Sequence, residues 1–315
     1  MIEEKMKYNA KIGWFDKLCG GAMFYLCRVL GWLPDCILYG CFAPFVYFVM
    51  YRLLHYRISV VRINLENSFP EKTEEELREI ERKFYRHLSN VLVDSISFAG
   101  ISRKKLATRI VYTNLDELRE ELNGRSWLCA LGHYGSWEYF CGFAHFFSGY
   151  DMLGVYRPLH NKAFDYFYYN MRRRFGCTPV TMTGLLKSMV QNINAGKQFE
   201  VGLICDQTPP FYEIKHWFNF LNQPTPFFEG LERLASKFRL PIYFAHLKKT
   251  GKISYEITFE RVYDGEEEFA EYELMQRYVE KLELMIRESP ELWMWSHRRW
   301  KHKPGVEWKR RKSSY

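Results

Sequence analysis

Residues 127–138 read WLCALGHYGSWE, a short apolar run followed by a polar segment that contains two glycines. An apolar run of this length before a turn is typical of a strand buried in a sheet. The same pattern, separated by helical periodicity, recurs along the chain and predicts further strands at 152–156, 178–182, 199–205, 242–247 and 253–260. We therefore predict an α/β fold with a mostly parallel central sheet flanked by helices.

Between the predicted strands, apolar residues recur at helical spacing. Thr73 followed by Glu76 predicts a capping box at the start of a long helix. Asn114 with Glu117 predicts the start of another helix. A helix from about residue 162 to residue 175 is expected to end at Gly176.

Two apolar stretches lie near the N-terminus, after a basic leader that contains Lys5, Lys7, Lys11 and Lys17. Residues 18–33 hold one charge and residues 36–51 hold none. A helix of such a length reaches about 24 Å, against a hydrocarbon core of roughly 30 Å. A tight span, an interfacial or re-entrant helical pair, and a buried hairpin of a soluble protein all stay open. We predict a helical membrane anchor in residues 1–62 and a catalytic domain in residues 63–315.

The composition limits the class of protein. The chain has 315 residues, a net charge of +8 and 47% hydrophobic residues, which exclude a disordered protein. The basic surface favours an acidic partner, such as an anionic membrane, a phosphorylated ligand, an acidic protein or nucleic acid. None of the eight cysteines forms a C-x-x-C pair and no H-E-x-x-H is present, so no metal site is predicted. The cysteines are interpreted as small buried side chains in a reducing compartment.

Three polar segments follow predicted strands, where open α/β sheets bind their ligands. The first contains His133 and Glu138, with Gly132 and Gly135 permitting a sharp turn. If His133 lies in the loop and Glu138 in the first helical turn, the carboxylate can orient the imidazole as a general base. A lone His near a Glu is also common in structural roles. Because Ser136 does not lie in a G-x-S-x-G turn, a serine hydrolase is disfavoured.

The other two segments contain Arg157 and Asp206. Arg157 is a candidate for binding phosphate or developing charge, and the alternative is a surface ion pair. Asp206 is a candidate for orienting an arginine or capping a loop. Arg172 and Arg174 lie near a helix C-terminus, where a solvated cationic face is the default expectation. The alternative is that one of the three arginines at residues 172–174 points inward.

Aromatic and basic residues alternate near the C-terminus, in WMWSHRRWKHK at residues 293–303. Such a segment can stack on nucleic-acid bases, lie at a lipid interface or pack its tryptophans onto the domain. Binding to nucleic acid is the weakest of these interpretations, because it leaves the apolar N-terminus without a role.

Several segments in order resemble the late acyltransferases of lipid A biosynthesis, within the lysophospholipid acyltransferase superfamily. The resemblance covers most of the chain and is carried by RINL and FPE (62–71), GHYGSWE (132–138), YRPL (156–159), DQ (206–207) and PELWMWSHRRWK (290–301). It implies transfer of an acyl chain from acyl carrier protein to a hydroxyl of a membrane-embedded, phosphorylated glycolipid, at the cytoplasmic face of the inner membrane. No cofactor and no acyl-enzyme are implied.

The resemblance also implies roles for single residues. His133 is expected to be the general base and Glu138 its orienting partner. Arg157, Arg172 and Arg174 are second-rank candidates for acceptor phosphates or for structural support, and Asp206 is expected to support the site. Glu229 with Gly230 is similar to an E-G block that helps bind phosphate in the glycerolipid branch, although the Thr-Arg of that block does not follow.

Two alternatives to this interpretation stay open. In the first, the reaction is the same and the acceptor is a lysophospholipid, an aminolipid or another glycolipid. In the second, the chain is a non-catalytic membrane protein that binds anionic lipid.

Overall fold

A computed structural model describes residues 12–306 of the chain. The predicted leader residues Lys5, Lys7 and Lys11 lie outside these described residues. The strands are β1 Ile110–Tyr112, β2 Trp127–Leu131, β3 Asp151–Tyr156, β4 Thr178–Thr181, β5 Phe199–Ile204, β6 Phe218–Phe220, β7 Gln223–Thr225, β8 Ile242–Lys249 and β9 Tyr255–Tyr263.

Helices surround these strands, and the first third of the chain, from Trp14 to Arg109, is helical. The α-helices are α1 Trp14–Leu30, α2 Asp35–Ile37, α3 Ala43–Tyr47, α4 Ile58–Ser68, α5 Glu74–Gly100, α6 Arg103–Arg109, α7 Leu115–Leu122, α8 Lys162–Arg173, α9 Leu185–Asn194, α10 Gly230–Phe238 and α11 Glu273–Glu288. Turns of π-helix at Leu38–Phe42 and Phe48–Leu53 join α2 and α3 into one apolar helix, and Trp137–His145 forms a 3₁₀-helix.

A seven-stranded sheet forms the centre of the molecule, in the order β1-β9-β8-β2-β5-β3-β4. Neighbouring strands pair in parallel except β8 with β9, which are antiparallel. The predicted fold class, a mostly parallel sheet flanked by helices, is therefore confirmed. The sequence analysis missed the short strand β1 and the hairpin of β6 and β7, because each of these three strands has only three residues.

Strand register brings distant residues of the sequence to one edge of the sheet. Leu131 at the end of β2 pairs with Ile204 at the end of β5, and Tyr156 of β3 pairs with Thr181 of β4. The loops that follow β2, β3, β4 and β5 therefore leave the sheet on the same side. We call this side the carboxyl edge.

The core is built on strands that are covered on both faces. All five residues of β2 are buried, as expected for a central parallel strand. Trp127 is fully buried and its ring meets Phe143, Phe147 and Phe259 edge-on. Burial of such side chains contributes about 1.5–3 kcal/mol each to folding.

The long helix α5 packs along this core. Its N-terminus has the predicted capping box, in which the Thr73 hydroxyl accepts from the Glu76 amide and the Glu76 carboxylate accepts from the Thr73 amide. The predicted boundary at residue 62 falls inside α4, whose Val61 and Leu65 are buried in the main core. The division into anchor and catalytic domain stays a prediction.

The apolar helix Asp35–Leu53 is the segment best suited to a membrane. By length and composition it can cross a bilayer, with a mean hydropathy of 1.5 and 17% of its residues buried. Core helices and signal sequences meet the same criteria, so the anchor stays a proposal. Large apolar side chains are exposed on this helix and on α1, among them Trp14, Phe15, Leu18, Leu26, Phe45 and Phe48.

Candidate active site

The loop after β2 turns sharply at the carboxyl edge and is held tightly by its neighbours. Gly135 has φ of +59°, a conformation that favours glycine. At Gly132, a Cβ atom would lie 2.6 Å from Leu282 Cδ1 of α11, so a larger residue would require the Leu282 side chain to move. The expected conformational role in a sharp turn agrees with the geometry of Gly135, whereas Gly132 has no positive φ.

His133 pairs with Asp206 across this edge. Its Nδ1 lies 2.6 Å from Asp206 Oδ1, and its backbone amide donates to Asp206 Oδ2 at 2.8 Å. The cause is strand register: His133 and Asp206 each lie two residues beyond the paired residues Leu131 and Ile204. An imidazole that donates from Nδ1 to a carboxylate has its lone pair on Nε2, the arrangement of a general base.

Asp206 is buried and fully engaged. Its side chain is 1% exposed, and Oδ2 also accepts from Trp293 Nε1 at 2.8 Å. Burial alone would raise the pKa of Asp206, but the charge and hydrogen bonds of His133 and the Trp293 indole hold this pKa below its ordinary value. The carboxylate is therefore ionised and fixed beside the imidazole.

The other ring nitrogen of His133 contacts Gln207. The His133 side chain is 16% exposed, and Gln207 Nε2 lies 3.1 Å from His133 Nε2. An amide that donates to Nε2 stabilises the same tautomer that Asp206 selects. A substrate hydroxyl that displaced Gln207 could donate its proton to His133 Nε2.

Glu138 does not pair with His133, contrary to the hydrogen bond predicted from their spacing. The Glu138 carboxylate instead binds Arg172, whose Nε lies 2.9 Å from Oε2 and whose Nη2 lies 2.5 Å from Oε1. The physical reason is twofold: Asp206 already occupies Nδ1 of His133, and Arg172 projects from α8 toward the 3₁₀-helix. Arg172 is thus the arginine that points inward, in place of the solvated face that was the default expectation at this position.

The Arg172 guanidinium is enclosed by aromatic rings as well as by the carboxylate. Its central carbon lies 5.6 Å from the centre of the Tyr156 ring and 5.3 Å from that of Tyr168. Burial would lower the pKa of Arg172, but the charge and hydrogen bonds of Glu138 raise it above its ordinary value. The pair thus joins the loop of His133 to α8 through a bidentate contact between guanidinium and carboxyl groups.

The remaining predicted residues lie at different places. Arg157 follows β3 at the carboxyl edge and is exposed. Arg174 donates to the carbonyl oxygens of Phe98 and Gly100 and so caps the C-terminus of α5. Glu229, at the start of α10, accepts from Arg233 at 2.6 Å.

The C-terminal aromatic segment closes the site, a role that the sequence analysis did not assign to single residues. The Met294 amide donates to the His133 carbonyl at 3.1 Å, and the Gly135 amide donates to the Leu292 carbonyl at 3.0 Å. The Thr208 amide donates to His297 Nε2 at 3.2 Å. The only available signal was the motif at 290–301, which shows a pattern but not the partners of Trp293 and His297.

A buried polar network lies on the far side of the loop. Asp94 of α5 accepts from Ser136 Oγ, from Tyr39 OH at 2.5 Å and from Tyr139 OH at 3.0 Å. Burial raises the pKa of Asp94 above its ordinary value despite these hydrogen bonds. The network therefore connects the loop that contains His133 with the apolar helix that contains Tyr39.

A small apolar cavity of about 10 Å³ lies behind the loop, lined by residues that include Leu131, Trp137 and Met285. This volume is below that of an acyl chain, so the cavity as it stands does not hold a fatty tail. Across residues 12–306, no group of three or more His, Cys, Asp or Glu side chains is arranged to hold a metal ion.

An α/β sheet with an imidazole–carboxylate pair at its carboxyl edge has the architecture of an enzyme that uses a general base. The particular class follows from comparison with known families. The family model described as bacterial lipid A biosynthesis acyltransferase matches residues 14–302, and the chain belongs to this family. No curated protein shows a significant match to the chain.

Membership fixes the general activity. The protein is an acyltransferase, with an acyl donor and an acceptor of the lipid A type, and its family is bacterial and membrane-associated. The resemblance read from the motifs is therefore confirmed at the level of the family. The acyl carrier protein, the individual catalytic residues and the membrane face stay proposals.

Proposed function

We propose that the protein transfers a fatty acyl chain from an acyl carrier protein thioester to a hydroxyl of a phosphorylated lipid A precursor, at the cytoplasmic face of the inner membrane. The single observation that carries the mechanism is the 2.6 Å contact between His133 Nδ1 and Asp206 Oδ1. It leaves Nε2 as the base that activates the acceptor hydroxyl.

The reaction then needs no covalent enzyme intermediate. His133 Nε2 removes the proton of the acceptor hydroxyl while its oxygen attacks the thioester carbonyl carbon. The tetrahedral intermediate collapses, the C–S bond breaks, and the departing thiolate takes the proton from the imidazolium. Asp206 stabilises the imidazolium through the Nδ1–H hydrogen bond, as a buried carboxylate does in a catalytic triad.

Glu138 contributes in this proposal as a positioning residue. Through the Arg172 pair it fixes the first turn of the 3₁₀-helix, five residues after His133. The orienting role expected for Glu138 is thus proposed for Asp206. Both carboxylates remain part of the machinery, one at the reacting imidazole and one behind it.

Charge and exposure support the binding of both substrates. The net charge of +8 complements an acidic carrier protein and a phosphorylated lipid. Arg157 is exposed at the carboxyl edge and is the proposed contact for an acceptor phosphate. Arg174 and Glu229 have internal partners, so structural support is the role proposed for them.

The test is an acyl-transfer assay with the full chain in membranes. Labelled acyl carrier protein thioester is incubated with a lipid A precursor, and the product is identified by mass spectrometry. We expect transfer by the wild type and its loss in the His133→Ala variant. His145→Ala, at the opposite end of the 3₁₀-helix, is the matched control and is expected to keep activity.

Parallel assays separate the alternatives. Lysophospholipid, aminolipid and unphosphorylated glycolipid acceptors are offered with the same donor. Transfer to one of these and not to the lipid A precursor would reassign the acceptor. If no acceptor is acylated, and if lipids are unchanged in cells that carry His133→Ala, the protein is a non-catalytic lipid-binding protein.

A further inference from the structure

Large apolar side chains surround the carboxyl edge without being covered. They come from the segments that follow three neighbouring strands, and their exposed fractions range from 38% to 84%. We call this set the apolar rim: Leu159, Phe164, Met182, Leu186, Phe211 and Tyr212.

The topology explains why the rim forms one feature. Strands β3, β4 and β5 are parallel, so the segments that follow them emerge on the side of the sheet that carries His133. Leu159 and Phe164 follow β3, Met182 and Leu186 follow β4, and the last two follow β5. The rim therefore surrounds the same edge as the active site.

Helix α9 extends the rim away from the edge. Leu186, Val190 and Ile193 are 44–49% exposed and recur at helical spacing, while Leu185 and Met189 are buried. The helix thus has one apolar face against the sheet and a second that meets solvent. A contiguous exposed apolar surface of this kind marks a binding surface.

Positive charges accompany the apolar side chains. The rim segments and the adjoining C-terminal segment, residues 157–164, 181–187, 207–217 and 297–303, are fully described and contain Glu213 as their only exposed carboxylate. Their exposed cations are Arg157, Lys187, Lys215, Arg298, Lys301 and Lys303. Apolar side chains bordered by cations match the interface of an anionic bilayer. An acidic protein would satisfy the charges but would leave the apolar stripe of α9 unexplained.

The rim is also continuous with the exposed apolar helices of the N-terminus. A Cβ atom at Gly20 of α1 would lie 2.4 Å from the Ala163 carbonyl oxygen, so α1 packs directly on the first turn of α8. Phe164 of the rim is the next residue. Helix α1 therefore lies beside the rim, and its exposed apolar side chains include Trp14, Phe15 and Leu18.

We propose that the apolar rim is a second bilayer-contacting surface, which places the carboxyl edge of the catalytic domain on anionic phospholipid. The role given to this contact, delivery of a lipid acceptor to His133, rests on the proposed function. The lipid contact itself does not depend on which reaction the protein catalyses.

The test is site-specific photocrosslinking of the full chain in nanodiscs that contain phosphatidylglycerol. Benzoylphenylalanine replaces Leu186 or Tyr212 in the rim, or Leu284 on α11, which is 63% exposed and serves as the matched control. Donor and acceptor are omitted, so the readout is independent of catalysis. We expect phospholipid adducts at the two rim positions at about ten times the yield at Leu284.

Equal lipid yields at all three positions would overturn the proposal. A rim adduct to acyl carrier protein, formed in preference to lipid when the carrier is added, would also overturn it and would assign the surface to carrier docking. Because no turnover is measured, lipid adducts in a protein without acyltransferase activity would support the rim while the proposed function failed.

A charge variant provides the second arm. Lys301→Glu with Lys303→Glu is expected to lower the rim adduct yield in anionic discs by about fivefold or more, and to have little effect in purely zwitterionic discs. Lys237→Glu, on the exposed surface of α10, is the control and should change neither yield. An equal loss in both disc types would contradict electrostatic docking on lipid.

Discussion

Asp206 and Glu138 are two buried carboxylates that hold the same loop, yet they bind different partners. Asp206 follows β5 and contacts the His133 ring, backbone amide and neighbouring Trp293. Glu138 follows His133 in sequence and contacts Arg172. In this protein the register of β2 and β5, rather than closeness in sequence, determines which carboxylate contacts His133.

Removal of Asp206 and removal of Glu138 are therefore expected to change different properties of the protein. Loss of the Asp206 partner is expected to affect the reacting imidazole directly. Loss of the Glu138 partner is expected to affect folding first, because it leaves a guanidinium buried without its counter-charge.

The variant expected to lower activity most is one that removes His133, the partner of Asp206. His133→Ala should lower the rate of acyl transfer by about 10³- to 10⁴-fold, because general-base catalysis by a positioned imidazole is lost. The rate is measured with labelled acyl thioester and lipid acceptor in detergent. A variant that is folded by circular dichroism and retains a tenth of wild-type activity would remove His133 from the chemistry.

The next effect is on stability at the second carboxylate. Glu138→Ala should destabilise the protein by about 3–5 kcal/mol, because the Arg172 side chain, 20% exposed, loses its buried partner. Thermal unfolding in detergent, followed by circular dichroism, measures the loss.

A compensating variant sharpens that prediction. Glu138→Leu with Arg172→Met removes both charges and places an apolar chain between the Tyr156 and Tyr168 rings. Most of the lost stability should return. If the double variant is as unstable as Glu138→Ala, the cost does not come from an uncompensated guanidinium.

A smaller effect is expected where the loop meets the Asp94 network. Ser136→Ala removes one of three hydroxyl donors to Asp94 and should cost about 1 kcal/mol. A double-mutant cycle with Tyr39→Phe measures whether the loop and the apolar helix are coupled through this carboxylate. Strict additivity of the two single changes would show that they are independent.

The smallest expected effect appears in acid and separates the two carboxylates further. The pKa of Asp206 is lower in the folded protein, so its carboxylate stabilises the fold above its ordinary pKa and loses that contribution as the pH falls through the folded value. Unfolding of wild type and Asp206→Asn is compared at neutral pH and near pH 3. The gap between them should narrow in acid, and a constant gap would contradict the linkage.

Much of the fold could be predicted because its signals are local. The apolar run of β2, the capping box of Thr73 and Glu76, and the glycine after α8 each depend on nearby residues. Strand β1 could not be found, because it has three residues and pairs with β9, far along the chain. The β6–β7 hairpin pairs locally, but strands of three residues are too short to show an alternating pattern. The hydrogen bond from Tyr39 to Asp94 could not be predicted either, because the two residues are 55 positions apart in sequence.

The sequence indicated three of the residues at the candidate site but not how they pair, and their catalytic roles stay predictions. His133, Asp206 and Glu138 all stood out as polar residues at strand ends. Their partners depend on how β2 and β5 align and on where α8 places Arg172, which one sequence does not encode locally. The indole of Trp293 reaches Asp206 from 87 residues away.

The most direct measurement compares Asp206→Asn with Glu138→Gln in single-turnover acyl transfer, in the same preparation and at a temperature where both variants are folded. With Asp206 as the partner of His133, Asp206→Asn should slow the chemical step by about 10²-fold or more, and Glu138→Gln by less than about tenfold. A near-normal rate for Asp206→Asn, with a rate for Glu138→Gln as low as that of His133→Ala, would contradict the account and return the orienting role to Glu138.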